Sequence, residues 1–253
     1  MPLNIATGKA LEALVQQAAR LAQQVRADAN PELKGDGSIV TRADREVEAM
    51  LRIELPRLIP GTTVWGEEEG FRDPGEAGLW AVDPVDGTTN YTYGSPLWGV
   101  SVGLVRGDDI PLGAIVLPDL NWSFMAVRGH GAYLNGERLS PVKAGEILPQ
   151  ELVSYSDNML ERYGSANLPG KMRYLGAFVA EAAFFFTGTF RGVAAFKAKL
   201  YDMAPTFTIA AELGAQIRYL DGQPVSIAEL VERHAESLDQ PILFFPPGST
   251  FRQ

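Results

Sequence analysis

The stretch LWAVDPVDGTTN, residues 79–90, predicts a strand followed by a helix, with acidic residues where the two meet. The apolar run 79–82 indicates a buried strand, and two carboxylates three residues apart, Asp83 and Asp86, follow it. The next residues, Gly87 and Thr88, can open a helix whose free N–H groups attract a phosphate. Carboxylate oxygens at a strand end suit a hard divalent cation such as Mg²⁺. The stretch therefore indicates metal-assisted hydrolysis of a phosphate ester.

The same residues also admit a purely structural interpretation. Asp86 could cap the following helix, while Asp83 accepts hydrogen bonds from loop amides. The acidic cluster GEEEG at 66–70 favours the metal, although three adjacent acids alone are typical of a solvated loop. Two close acids repel each other unless a cation neutralises them. A divalent ion also needs more oxygens than two side chains supply, and the Val85 carbonyl lies between the two aspartates.

Two further acids are candidates, each at a predicted helix start. Thr41 is a predicted N-cap with Asp44 as its capping-box partner, and a carboxylate at a helix N-terminus stays ionised. Asp202 precedes an apolar helix that runs to Leu213, where it is most simply an N-cap. Spacing alone does not bring Asp202 close to Asp83.

Composition excludes several classes of function. The chain has 253 residues, of which 46% are apolar and 21% charged, as in ordinary globular proteins. A net charge of −9 argues against nucleic acid as the main partner, since that requires clustered Lys and Arg. There is no cysteine, which excludes disulfides and thiolate metal sites. The N-terminus carries no signal-peptide pattern, and the apolar stretch 174–190 is short for a membrane span, so we expect a cytoplasmic protein without membrane partners.

Hydrophobic periodicity predicts mixed α/β architecture. Helices are expected over the first thirty residues and around Val47–Leu58, separated by a polar loop at 31–38 and ended by Pro60-Gly61. The strand runs 98–105, 112–117 and 123–127, with a tight turn at Asn135-Gly136, indicate an antiparallel meander. The second half alternates strands at 151–155 and 241–245 with helices at 177–186 and 204–213. We expect one layered α/β domain over 1–253, with a weak seam at 141–149.

Taken in order, GEE, DPVDGTTN and YDMA, preceded by VTRAD, resemble the motifs of the inositol monophosphatase family. The resemblance runs along nearly the whole chain, and DPVDGTTN with GEE upstream is its most specific part. It implies a layered αβαβα sandwich of the inositol monophosphatase and fructose-1,6-bisphosphatase type. It also implies a Mg²⁺-dependent, often lithium-sensitive phosphatase that forms a homodimer.

The resemblance assigns roles by position. Glu67 with Asp83 and the Val85 carbonyl would hold a first Mg²⁺ ion, and Asp83, Asp86 and Asp202 a second, with a third ion allowed. Asp44 and Thr88 would orient and deprotonate the attacking water, with Glu68 as a nearby helper. The substrate-binding set implied by the family comprises Asp86, Gly87, Thr88, Ala195 and Asp202.

Departures from the family pattern fall in its substrate-recognition half. Ala195 stands seven positions before Asp202, where inositol-specific members carry an acid, and Arg191, Lys197 and Lys199 add positive charge nearby. The leading hypothesis is thus a phosphomonoesterase for a small phosphorylated polyol, sugar or related metabolite. The alternatives are a histidinol-phosphate or 3′-phosphonucleotide phosphatase, and a non-catalytic regulatory protein that keeps the fold.

Overall fold

The chain is described by a computed structural model covering residues 3–35, 37–164 and 168–250. The helices are α1 (Ile5–Val25), α2 (Arg42–Leu58), α3 (Thr88–Thr92), α4 (Asp157–Tyr163), α5 (Phe178–Phe186), α6 (Leu200–Glu212) and α7 (Ile227–Glu232). The strands of the first half are β1 (Glu32–Leu33), β2 (Ile39–Val40), β3 (Thr62–Gly66), β4 (Gly78–Asp86), β5 (Gly99–Arg106), β6 (Asp109–Leu117), β7 (Trp122–Val127), β8 (Gly131–Leu134) and β9 (Glu137–Arg138). Those of the second half are β10 (Leu152–Tyr155), β11 (Lys171–Arg173), β12 (Gly192–Ala195), β13 (Gln216–Tyr219) and β14 (Ile242–Phe245).

Two large sheets form the β layers. A seven-stranded sheet runs in chain order from β3 to β9, and a five-stranded sheet has the order β11-β10-β12-β14-β13. In the first sheet only β3 and β4 are parallel, and the remaining pairs form the predicted antiparallel meander. Asn135 and Gly136 join β8 to β9 with positive φ angles of 51° and 82°, as a two-residue type I′ turn requires.

Apolar contacts order the layers as αβαβα, as predicted. Helices α1 and α2 pack on one face of the seven-stranded sheet, and α5 and α6 fill the space between the two sheets. Helix α4 covers the outer face of the five-stranded sheet, where Met159 packs against Tyr155 and Leu243. No helix within the described part of the chain has the length and apolar character needed to cross a membrane.

The end of β4 is irregular in a way that positions its acids. Asp83 pairs with Ser101 and Asp86 with Gly99, so one extra residue is accommodated between the two aspartates. Gly87 follows with φ of 82° and begins α3 as its N-cap, in a conformation that favours glycine. Its missing Cβ also allows close packing, because a Cβ there would lie 2.6 Å from the Cβ of Ala177.

Two local predictions need correction. The loop at 31–38 contains β1, which pairs with β2 in a short hairpin, while Asp36 lies outside the described residues. Helix α6 begins at Leu200 rather than Ala204, because the Asp202 carboxylate accepts a hydrogen bond from the Lys199 backbone N–H at 2.6 Å. Asp202 is therefore the third residue of α6 and not its N-cap. The single-domain assignment with a seam at 141–149 stays a prediction.

Candidate functional site

Asp83 and Asp86 lie at the end of β4, as predicted. Asp83 is 3% exposed, and its Oδ1 accepts a hydrogen bond from the Val85 N–H at 3.0 Å. Asp86 does not cap α3, whose N-cap is Gly87; its Oδ2 instead accepts from the Val179 N–H in the first turn of α5. The structural interpretation was thus right for Asp83 and wrong for Asp86.

Asp202 interacts electrostatically with these two acids. Burial raises the pKa of Asp83 well above its usual range, and the nearby charges of Glu67, Asp86 and Asp202 raise it further. Burial also raises the pKa of Asp86 well above that range, with Asp202 adding to the effect. For Asp202, burial followed by the charge of Glu67 raises the pKa to about 7. The Ser101 hydroxyl donates to the Tyr201 carbonyl at 3.3 Å, and Ser101 pairs with Asp83 in the sheet. The fold therefore brings the start of α6, with Asp202, to the end of β4, which spacing could not show.

Glu67 and Glu68 follow β3 and share a cation from the β1–β2 hairpin. Lys34 Nζ lies 2.8 Å from Glu67 Oε1 and 2.6 Å from Glu68 Oε1. Burial alone would lower the pKa of Lys34, but its contacts with the two carboxylates raise it overall. The pKa of Glu68 is raised by burial, although its hydrogen bond with Lys34 acts in the opposite direction. Lys34 was not predicted as a site residue, because a single lysine in a polar loop carries no distinguishing signal.

Asp44 and Thr88 meet at the inner side of this acidic site. Asp44 is fully buried, and its Oδ2 accepts hydrogen bonds from the Thr41 N–H at 2.7 Å and the Thr41 hydroxyl at 2.5 Å. The Thr88 hydroxyl lies 3.3 Å from Asp44 Oδ1 and 2.9 Å from the Val85 carbonyl oxygen, so its one proton has two acceptors. Thr41 is the N-cap of α2, as predicted. Burial outweighs the Thr41 hydrogen bonds and raises the pKa of Asp44.

The substrate-recognition residues lie in different surroundings. Ala195 ends β12 and is 2% exposed in the core between the sheets, so its methyl group offers no polar contact. Arg191 is also buried, where it pairs with Glu151 at 3.1 Å and donates to the Lys143 carbonyl. Lys199 Nζ donates to the Ala235 carbonyl at 2.7 Å. Arg191 and Lys199 are thus engaged in contacts within the protein.

The oxygen-rich set of acids fits a hard divalent cation in its chemistry. Buried carboxylates whose pKa values are raised by one another gain most from a cation that neutralises them. As placed, however, no three acidic or histidine side chains within residues 3–35, 37–164 and 168–250 approach closely enough to share one ion. Lys34 holds two of the acids instead, so a bound ion would require these side chains to rearrange.

A cavity of about 840 Å³ lies apart from these acids. It is bounded by residues 71–79, the β5–β6 turn and α7, and no predicted site residue lines it. Phe71 and His234 stack at its edge with ring centroids 3.7 Å apart.

The chain is similar to a known protein family, to curated proteins and to solved structures. The model of the inositol monophosphatase family matches residues 4–241. The "Fructose-1,6-bisphosphatase/inositol-1-monophosphatase" of Aquifex aeolicus is 32% identical over 212 residues, which cover 80% of each chain. The "Histidinol-phosphatase" of Chlorobaculum parvum is 37% identical over 114 residues, or 45% of this chain and 43% of that protein.

A solved structure of IMPase from Thermotoga maritima superimposes with a TM-score of 0.78 at 26% sequence identity. The match covers 93% of this chain and 91% of that one. The fold therefore agrees with that solved structure over nearly the whole chain. With nearly the whole sequence matched and its named relatives phosphatases, the chain belongs to the inositol monophosphatase family.

Proposed function

We propose that the protein is a Mg²⁺-dependent phosphomonoesterase acting on a small phosphorylated polyol, sugar or related metabolite. The observation that carries this proposal is that the chain brings Asp83 and Asp86 at the end of β4 near Asp202 at the start of α6. The charge of Glu67 adds to the raised pKa values of all three acids. A site of buried acids without enough neutralising cations is costly unless it serves to bind metal.

The ligand sets follow the resemblance described above. Glu67, Asp83 and the Val85 carbonyl would hold one ion, and Asp83, Asp86 and Asp202 another. Bound Mg²⁺ would supply charge neutralisation for the phosphate dianion and a lowered pKa for the attacking water. Two or three ions are proposed, and a preference for Mg²⁺ rests on the all-oxygen donor set.

Proton transfer would use Asp44 and Thr88. The Thr88 hydroxyl accepts a proton from the attacking water while passing its own proton to Asp44 Oδ1, 3.3 Å away. The Val85 carbonyl orients the same hydroxyl from 2.9 Å. Glu68, which forms an ion pair with Lys34, would assist. The backbone N–H groups of Gly87 and Thr88 would bind the phosphate, with Asp86, Asp202 and Ala195 bordering the rest of the substrate.

Histidinol phosphate is the second candidate substrate, favoured by the similarity to the Chlorobaculum parvum histidinol-phosphatase. A 3′-phosphonucleotide is a third. Phosphate release should be measured from inositol phosphates, fructose 1,6-bisphosphate, histidinol phosphate, 3′-phosphoadenosine 5′-phosphate and glycerol 2-phosphate. Each assay is run with Mg²⁺, with EDTA and over a LiCl series.

Mg²⁺-dependent release would support the proposal, and the preferred ester would identify the substrate class. Release in EDTA equal to that in Mg²⁺ would contradict metal dependence. A folded protein that hydrolyses no ester would instead support the regulatory alternative. The proposal also includes a homodimer, which light scattering tests, and inhibition by lithium, which the LiCl series tests. It includes a cytoplasmic location as well, which cell fractionation tests.

A further inference from the structure

A buried ion pair on α2 lies under the acidic loop that follows β3. The Glu48 side chain is 1% exposed and that of Arg52 is 9% exposed, with Arg52 Nη2 2.8 Å from Glu48 Oε1. The pair is interleaved with Val47 and Leu51, which are fully buried. Charges at such positions are expensive unless several hydrogen bonds compensate them.

The compensating hydrogen bonds go to the acidic loop and to strand β3, which precedes it. The Glu48 carboxylate accepts from the Glu68 N–H at 2.7 Å and from the Glu69 N–H at 2.9 Å. Arg52 donates to the Val64 carbonyl at 2.8 Å and to the Gly70 carbonyl at 3.1 Å. The pair therefore fixes the backbone on both sides of Glu67.

Gly66 completes this arrangement. A Cβ at residue 66 would overlap the Glu48 carboxyl group, so only glycine lets the loop approach α2 this closely. The Gly66 φ angle is not in the left-handed region, and alanine would be tolerated by the backbone itself. Steric room for Glu48 is therefore the reason for glycine at this position.

We propose that Glu48 and Arg52 are positioning residues for the metal site, acting through the loop backbone to orient the Glu67 and Glu68 carboxylates. This inference rests on the proposed function. Neither side chain is a proposed ligand, but a carboxylate binds a metal well only when its own supports fix its direction. Loss of such a support typically weakens metal affinity by roughly 10–100-fold.

Glu48→Gln tests the proposal, because glutamine keeps the shape but replaces one acceptor oxygen with an NH₂ group facing a loop N–H. We expect the Mg²⁺ concentration for half-maximal rate to rise by roughly 10–100-fold. The KM for the ester at saturating Mg²⁺ should stay near that of the wild type, and most of kcat should return. Calorimetric titration with Mg²⁺ in the absence of substrate compares the Mg²⁺ affinity of the variant with that of the wild type, independently of turnover.

Gly66→Ala should reproduce the weakened Mg²⁺ binding without altering any charge, because it displaces the Glu48 carboxylate. Glu46→Gln is the matched control, since Glu46 forms an exposed pair with Arg42 on the same helix, at 2.6 Å. It should leave Mg²⁺ binding unchanged. Glu48→Asp keeps the charge and should bind Mg²⁺ with intermediate affinity; it also replaces Glu48→Gln if that variant does not fold.

Wild-type Mg²⁺ affinity in folded Glu48→Gln and Gly66→Ala, with only a lower Tm, would overturn the inference and leave a structural ion pair. Failure of the proposed function is distinguishable from this result. A wild type that binds Mg²⁺ but hydrolyses no ester contradicts the phosphatase, while the variants still test the loop support. A wild type that does not bind Mg²⁺ overturns both proposals.

Discussion

Asp202→Asn should stabilise the metal-free protein, which is unusual for a substitution in a buried site. Asparagine keeps an oxygen for the Lys199 N–H, now 2.6 Å from the Asp202 carboxylate, so the start of α6 is preserved. The substitution removes only the negative charge that burial and Glu67 disfavour. The folded protein therefore gains the free energy that ionising Asp202 costs it.

The magnitude follows from the raised pKa. A rise from 3.8 to about 7 is about three pH units, each worth about 1.4 kcal/mol. The upper limit is therefore about 4 kcal/mol above pH 7, and relaxation of neighbouring acids lowers it. Because the pKa of Asp202 is raised in the folded protein, its contribution to the free energy of unfolding is fully present below pH 3.8. That contribution is lost as the pH rises through about 7. In a chain of this size, 1 kcal/mol corresponds to roughly 2–4 °C in Tm.

Thermal unfolding in EDTA at pH 5 and pH 8 measures this effect. The Tm of Asp202→Asn should exceed that of the wild type at pH 8, and by a clearly smaller margin at pH 5. Mg²⁺ should raise the Tm of the wild type more than that of the variant. Asp221→Asn, at an exposed aspartate that accepts from the Gln223 N–H, is the control and should change neither Tm. An equal gain at both pH values, or a loss at pH 8, would refute the reasoning.

Three further substitutions test the site. Gly87→Ala should lower the free energy of unfolding by about 1–3 kcal/mol and remove most activity, because residue 87 has a φ of 82° and its Cβ would lie 2.6 Å from Ala177. Gly94→Ala is the control, since residue 94 has a φ of 80° but open space around it. In urea unfolding it should lose less stability than Gly87→Ala, and it should keep its activity. Thr88→Val should lower kcat by roughly 10²–10⁴-fold in steady-state assays, with Thr88→Ser restoring most of it. Asp86→Asn should abolish Mg²⁺-dependent activity while its circular dichroism spectrum stays native, since asparagine can still accept from α5; full activity would contradict the ligand assignment.

Periodicity predicted the large elements because their burial is regular. Helix α2 and the meander from β5 to β8 follow the apolar pattern closely. The hairpin of β1 and β2 was missed because two-residue strands have no measurable period. The start of α6 was placed too late, because its N-cap is Lys199 and not a Ser, Thr, Asp or Asn.

Motifs in the sequence identified the acidic residues of the site, but they did not predict which residues those acids contact. That Asp86 contacts α5 and that Lys34 contacts Glu67 depends on the docking of distant segments. Glu48 and Arg52 left a weak signal: an i,i+4 ion pair placed among the apolar positions of an amphipathic helix. An i,i+4 pair of this kind is usually interpreted as a salt bridge on a solvated face. That interpretation does not predict its contacts with the loop that follows β3.

The hydrogen bond from α5 to Asp86 has a consequence for how the protein is made. The acids of the site come from chain positions as far apart as 44 and 202, and α5 belongs to the layer between the two sheets. During synthesis the seven-stranded sheet can form first, but Asp86 then lacks its partner and Asp202 has not yet emerged. Catalytic competence should therefore appear only when the second half has docked, which makes enzymatic activity a reporter of the last folding step.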